Sequence, residues 1–259
     1  MNREKSALGR LYRRIYNALC GEHPQLRPWH FQYLDAFYLY RALKHALPRT
    51  QGSVVLDVGC GDAPYQHWFA RPIQHIGIDT QAGGGVRHII DGQSPWPLQD
   101  ESVDVVLCTQ VLEHVMDLPH LLTETDRCLR GAGQLVASFP FIYNEHGSPH
   151  DYRRFSVHGA QLLFPGWRVL TVQRQGGIGS TLGLLWLNWR DAAMNRSFAT
   201  RLLKALLLPL WLVESLVVNM LGLLLDKLDR TDSFYNNVMI ILQKPADHSN
   251  QSVARQYVY

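Results

Sequence analysis

The apolar positions of this chain change their period several times, and each change marks an element. Leu8, Leu11, Tyr12, Ile15 and Leu19 recur at helical spacing among Arg3, Lys5, Arg10, Arg13 and Arg14, which predicts a basic amphipathic helix. From residue 53 the pattern shortens. Ser53–Val58 is a short β-branched run after Gly52 and predicts a buried strand. Asp62–Ala70 follows as a predicted helix, with Asp62 near its cap and Pro64 in its first turn. Further strands are expected at His75–Thr80, at Val86–Gly92 and within Ser102–Val115. A helix is expected around Leu118–Leu129, then a strand at Gly133–Pro140. Phe155–Phe164 reads as a helix, Trp167–Gln173 as a sixth strand and Asn237–Gln243 as the last. Strands alternating with helices predict an α/β fold with a doubly wound, mostly parallel sheet, whose ligands lie at the carboxyl ends of the strands.

The gap between the last two strands is filled by a very apolar segment, Gly176–Tyr235. Between Lys204 and Asp226 its only charge is Glu214. On an insertion scale the ten leucines of that run offer about −5 kcal/mol, and Glu214 returns about +3. Pro209 and Asn219 take most of the remainder, so spanning a bilayer is marginal. Lys204, Ser215, Asn219, Gly222 and Asp226 fall within an arc of about 60° on a helical wheel, which leaves a very wide apolar face. Such a helix is buried by the core or a partner, or lies in a membrane interface.

Charge sharpens the picture at the amino end. Residues 1–50 hold nine Lys/Arg against three acids, a balance of +6, while the whole chain is +3, leaving −3 for the rest. A basic end suits an anionic partner such as a membrane face, or is a solvated helix face. The aromatic cluster Trp29, Phe31, Tyr33, Phe37, Tyr38 and Tyr40 either walls a ligand site or is ordinary core. Cys20, Cys60, Cys108 and Cys128 are scattered, without C-x-x-C and without His/Cys metal spacing. They read as reduced thiols of a cytoplasmic protein, and no metal site is expected. The amino end lacks the apolar core of a signal peptide.

The chemistry concentrates at the strand ends. Gly59 and Gly61 occupy a strand-to-helix turn, where glycine permits positive φ and lets a ligand touch backbone. The dinucleotide pattern G-x-G-x-x-G fails, because Pro64 stands where its third glycine belongs. Asp57, two residues before the first glycine, suits a ligand that carries positive charge and no phosphate. Asp79 ends the second strand, where a carboxylate can accept both hydroxyls of a ribose. Asp91 and Gln110 end the third and fourth strands.

The series LDVGCGD, GIDT, IDG, PWPLQDESVDVVLCTQVLEHV and LRGAGQLVASFP resembles the type 11 subgroup of the class I S-adenosylmethionine-dependent methyltransferases. The likeness covers about residues 50–175 and the last strand. It implies a seven-stranded Rossmann-like sheet, its last two strands an antiparallel pair, and S-adenosylmethionine as methyl donor. Carried over by position, Asp57, Gly59 and Gly61 would surround the methionine part. Asp79, followed by Thr80, would take the ribose, and Asp91 with Gly92 the adenine edge. Gln110 and Val111 would line the methyl-donor side. Ala63 replaces the third motif glycine, and the adenine face falls to Ile78, Gln81 or Trp96.

After strand five, the segment FPFIYNEHGSPHDYRRFS packs titratable residues together, and in the family a similar run covers the acceptor pocket. His146 or His150 is expected as a base, with His114 either facing the pocket or bonded to backbone. Glu145, Asp151, Arg153 and Arg154 are expected to bind the acceptor, an arginine gripping an acidic group. The expected organisation is therefore an N-terminal helical extension over residues 1–50, a core over 51–175 plus 236–245, a helical insertion over 176–235, and a tail over 246–259. The insertion is expected either to cap the pocket or to touch a membrane. The expected acceptor is an apolar or amphipathic small molecule, such as a lipid-linked sugar or quinone-like ring, met on the inner face of an anionic membrane. A homodimer is compatible with this. Nucleic acid is not favoured as a partner, since there is no appended RNA-binding motif. A nucleic-acid methyltransferase and a silent S-adenosylmethionine-binding scaffold are the competing readings.

Overall fold

The structure is a computed structural model and describes residues 7–70 and 73–246. Arg3, Lys5 and most of the expected tail lie outside the described residues. The chain divides into two compact units, Met1–Tyr40 with Gly176–Asn236, and Arg41–Gln175 with Asn237–Tyr259. The expected extension and insertion thus form one unit rather than two separate additions, and the end of the extension belongs to the core.

The second unit is built on one seven-stranded sheet. Its strands are β1 (Val54–Val58), β2 (Gln74–Asp79), β3 (His88–Ile89), β4 (Val103–Thr109), β5 (Leu129–Pro140), β6 (Arg168–Gln175) and β7 (Asn237–Gln243), in the spatial order β3-β2-β1-β4-β5-β7-β6. All neighbours are parallel except β7, which runs antiparallel to both β5 and β6. The Rossmann-like α/β expectation holds, as does the antiparallel final pair. Val55, Leu56, Val105, Val106, Val136, Ala137, Val238 and Ile240 are all 0% exposed, the near-continuous apolar runs of a sheet covered on both faces.

One predicted element of this unit is absent. Asp62–Ala70 forms turns and a single 3-10 turn at Gln66–Trp68, not a helix. Ala63 takes φ +49, and its N–H bonds back to the Cys60 carbonyl, so the chain coils left-handed just where a helix would have to start. No helix N-terminus therefore stands beside the glycine turn. The helix expected at Phe155–Phe164 shortens to Val157–Gln161, capped by Ser156.

The first unit is helical. It holds α1 (Ala7–Cys20), the start of α2 (Tyr33–Ala46), and α5 (Ile178–Met194), α6 (Phe198–Leu206) and α7 (Leu208–Leu228); in the second unit, α3 is Leu118–Cys128 and α4 the short Ser156-capped helix. The apolar run splits at Leu207, with Pro209 in the first turn of α7, where its missing N–H costs nothing. α5 and α7 pack antiparallel. Gly179 lies on Gly222, Gly183 on Val218, and Arg190 reaches Trp211 and Glu214. A Cβ on Gly179 would come within 2.4 Å of the Gly222 carbonyl, so glycine sets how closely the helices cross.

α7 turns the polar stripe of its wheel inward and its wide apolar face outward. Ser215, Asn219 and Gly222 are buried, whereas Leu210, Val213, Leu221, Leu224 and Leu228 are each more than half exposed. The polar stripe faces inward because backbone and side-chain partners wait for it. Asn219 Nδ2 donates to the Pro28 and His30 carbonyls at 2.7 and 2.9 Å. Asp226 accepts from Tyr38 and from the Ser180 N–H. Glu214 accepts from Arg190 and from the Trp186 indole. Among the described residues, α7 is the one helix long and apolar enough to cross a membrane.

Candidate active site

The carboxyl ends of β1, β2 and β4 bring the sequence-predicted residues together. Gly59 and Gly61 take φ of +67 and +51. A Cβ on Gly59 would stand 2.4 Å from Val111, so that glycine is required for packing as well as conformation; no atom lies within 4 Å of a Cβ built on Gly61, so the space over its Cα is open. Asp79 holds the turn from β2, accepting the Gly61 N–H at 3.1 Å and the Gln81 N–H at 3.0 Å. Its carboxylate keeps further acceptor capacity. Thr80 beside it is exposed.

Asp57 differs from expectation. It is buried beneath the turn, and His75 of β2 meets its carboxylate at 3.1 Å. Burial pushes its pKa up, and His75 opposes this. It supports the turn rather than facing a ligand. Asp91 is exposed and accepts from Gln93 and Ser94, which lowers its pKa to about 2. Gly92 beside it has φ +76 and open space around it. Gln110, at φ +56, donates from Nε2 to Ser138 and Asn237, so its amide ties the β4 end to β5 and β7. Of the residues suggested for the adenine face, Ile78 and Trp96 are buried and Gln81 is exposed.

A second glycine run, Gly83–Gly85, was not foreseen as part of the site. It folds back on the first: Gly85 N–H donates to the Gly61 carbonyl, and Gly84 N–H to Asp62. Three successive glycines are a turn signal that could have revealed it.

The loop after β5 is ordered by its own charges. Arg154 grips Asp151 with both nitrogens and reaches the Asn144 carbonyl. This pairing holds the Asp151 carboxyl well below the ordinary range. Arg153 donates to the Val115 and Met116 carbonyls. Both arginines and Asp151 therefore pin the loop. Glu145 stays on the exposed rim.

Glu113, passed over in the sequence beside His114, is the centre of the cluster. It is 0% exposed, and neither carboxylate oxygen has a hydrogen-bond partner. His114 Nε2 and His146 Nε2 both stand 3.7 Å from its Oε1. Glu113 and then Asp151 push the His146 pKa up against burial. The other nitrogen of each ring also faces an acceptor, His114 Nδ1 the His150 carbonyl and His146 Nδ1 the Asn144 carbonyl. Both Nε2 atoms thus turn toward the Glu113 carboxylate, beyond hydrogen-bond distance. His150 is exposed and uses Nδ1 on the Tyr152 hydroxyl.

Residues 56–137 match the family model of a methyltransferase domain. Over 103 residues the chain is 35% identical to a probable S-adenosylmethionine-dependent methyltransferase of Mycobacterium tuberculosis, covering 36% of this chain and 38% of that one. A similarly described protein of Mycolicibacterium smegmatis is 33% identical over 113 residues, or 39% and 42%. The chain thus spans less than half the length of these curated relatives. Among solved structures, a phosphoethanolamine N-methyltransferase of Haemonchus contortus in complex with S-adenosylmethionine superposes with a TM-score of 0.52 at 16% identity, covering 93% of this chain and 58% of that one. An S-adenosylmethionine-dependent methyltransferase of Archaeoglobus fulgidus gives 0.51 at 16% identity, covering 80% and 93%. A [4+2]-cyclase also gives 0.51, at 15% identity and 82% of each chain, so this fold by itself does not fix the reaction. The sheet order gives the Rossmann-like α/β fold, and within it residues 56–137 carry the likeness to a methyltransferase domain.

Proposed function

We propose that the protein transfers a methyl group from S-adenosylmethionine to an oxygen or nitrogen of an apolar or amphipathic small molecule. The observation that carries the donor is the open space over the Gly61 Cα beside the half-buried Asp79 carboxylate. When bound, S-adenosylmethionine supplies an electrophilic methyl on a sulfonium, which leaves as a neutral thioether. Asp79 would take the ribose hydroxyls, and the Gly59–Gly61 backbone would lie against the methionine part. The work left to the chain is alignment, exclusion of water and removal of the acceptor's proton. His150 is the histidine of the loop suited to that proton, since its Nδ1 is held by Tyr152 and its Nε2 has no partner among the described residues.

The acceptor class rests on the helical unit. An outward-facing leucine surface on α7 and exposed Leu11 and Ile15 on the basic α1 fit an acceptor drawn from an anionic bilayer. Four free, buried cysteines fit a reducing compartment, hence the inner face of that membrane.

The test is transfer of radiolabelled methyl from S-adenosylmethionine into cell extract, split into lipid, nucleic-acid and polar fractions. Label is expected in the lipid fraction. Label in nucleic acid would replace the acceptor class, and no label despite tight donor binding would make the protein a scaffold.

A further inference from the structure

Three acceptors in the second unit converge on one point, and the nearest fixed positive charge is the Arg154 guanidinium, which feels the Glu113 carboxylate while being held by Asp151. Glu113 Oε1 lies 3.7 Å from the Nε2 of His114 and 3.7 Å from the Nε2 of His146. The three donor atoms all lie within 4.8 Å of one another. Each ring is turned by its other nitrogen: His114 Nδ1–H donates to the His150 carbonyl, and His146 Nδ1–H to the Asn144 carbonyl. In a neutral ring this leaves the Nε2 lone pair facing the carboxylate. Carbonyls behind imidazoles in this way are the usual support of metal-binding histidines, fixing tautomer and orientation.

The carboxylate is the second, independent sign. Glu113 is fully buried, and both its oxygens lack a hydrogen bond. A buried charge left so is costly unless it is paired or coordinates a metal. The two imidazoles are each about 30% exposed, so one side of the cluster is open to solvent. Gly147 closes another side. At φ +68 it lies flat on His114, and a Cβ there would be 2.9 Å from the ring.

We propose that Glu113, His114 and His146 form a binding site for one divalent transition-metal ion of the zinc type, with the remaining coordination positions open. Two imidazole nitrogens and one carboxylate oxygen are a known ligand set for catalytic zinc, and closely related sets hold iron. Metal–ligand bonds of about 2.0–2.2 Å place tetrahedral ligands about 3.3 Å apart. The two 3.7 Å separations need to close by a few tenths of an ångström, and the two imidazole nitrogens, within 4.8 Å of each other, by up to about 1.5 Å. The 31 residues between His114 and His146 explain why no short metal spacing marks the site in the sequence. The site stands whether or not methyl transfer is the reaction. If it is, an open metal position so close to the β4 end is suited to hold an acceptor oxygen as its conjugate base.

The experiment uses the untagged full chain, stripped with a chelator and titrated with Zn2+, then with Co2+ as a visible-absorption probe. One Zn2+ per chain is expected, with a raised Tm and Co2+ bands of low-symmetry N/O coordination. His146→Gln and His114→Gln should each weaken Zn2+ at least about 10-fold and remove the Tm rise, their circular dichroism unchanged. Glu113→Gln should do the same; should it not fold, the two partly exposed histidines still decide. Absence of saturable binding, or full affinity in both histidine variants, would overturn the site and leave a proton as the shared cation. A parallel titration of the stripped chain with S-adenosylmethionine reads the donor site separately.

Discussion

Gly59 and Gly61 share a positive φ, yet their replacement should cost different amounts. Alanine at Gly61 meets open space, so only the left-handed backbone is penalised, about 1–2 kcal/mol. Alanine at Gly59 also drives a methyl into Val111, adding about 1–3 kcal/mol of overpacking. Chemical denaturation should therefore rank Gly59→Ala below Gly61→Ala in stability, while calorimetry should show Gly61→Ala losing S-adenosylmethionine affinity. Equal stability losses would mean that Val111 yields. Asp79→Ala should weaken S-adenosylmethionine by about 1–3 kcal/mol, and NAD should not bind either protein. Unchanged affinity would remove Asp79 from the ribose site. These residues were legible because an acid or glycine at a strand end is specified locally. Glu113 was not. Its burial depends on His146 returning from beyond β5, and within the triplet Leu112-Glu113-His114 the histidine draws attention first. The partners of Arg153 and Arg154 were not legible for the same reason: which carbonyl or carboxylate a long side chain reaches is decided by the returning loop.

At the scale of elements, the strands were readable and two helices were not. Asp62 and Pro64 are good helix-start residues, but the left-handed Ala63 and the Gly83–Gly85 run packed on it end the helix before it begins. In α7 the alternatives left by the sequence narrow, because its wide apolar face is exposed among the described residues. A wide leucine face implies burial only when it has something to face, and here Asn219 and Asp226 have the inward partners. This gives an inverted mutational pattern. Asn219→Leu should destabilise by about 1–3 kcal/mol, because the Pro28 and His30 carbonyls lose their donor. Leu221→Gln, at a position 53% exposed, should change stability by no more than about 0.5 kcal/mol. Denaturant titration of both decides, and the opposite ranking would restore a leucine-in helix. In α3, Glu124 is held by Arg127 and by the Trp96 N–H, and these hold its carboxyl below its usual range against burial. A carboxyl lowered in the folded state adds stability that is present above its unfolded value, about 4.3, and is lost as pH falls through the folded value. Stability should thus decline below about pH 5, and Glu124→Gln should be less stable at pH 7 with a flatter acid limb. An unchanged limb would show that other carboxyls set it.

For the molecule as a whole, the question is what covers the outward leucines of the helical unit. α7 is 21 residues long, about 31 Å, close to the thickness of a bilayer's hydrocarbon core. Its buried side is committed to α5 and to the segment before α2, so it cannot span alone and is better suited to lie along an interface. Exposed Trp186, Trp189 and Phe198 add the aromatic residues favoured at the headgroup level. On α1, Arg13 and Arg14 are exposed together with Leu11, Ile15 and Leu19. Near an anionic surface each arginine adds roughly 1 kcal/mol, and this part is screened by salt, whereas leucine insertion is not. The two contributions therefore separate in one experiment. Intact protein should float with vesicles containing anionic lipid, less so at high salt and less with neutral vesicles. Arg13→Glu/Arg14→Glu should behave at low salt as intact protein does at high salt. Leu221→Gln/Leu224→Gln should float poorly at every salt concentration while remaining folded. If intact protein stays at the bottom and light scattering shows a dimer that the leucine variant dissociates, a second copy covers the face and the membrane reading fails.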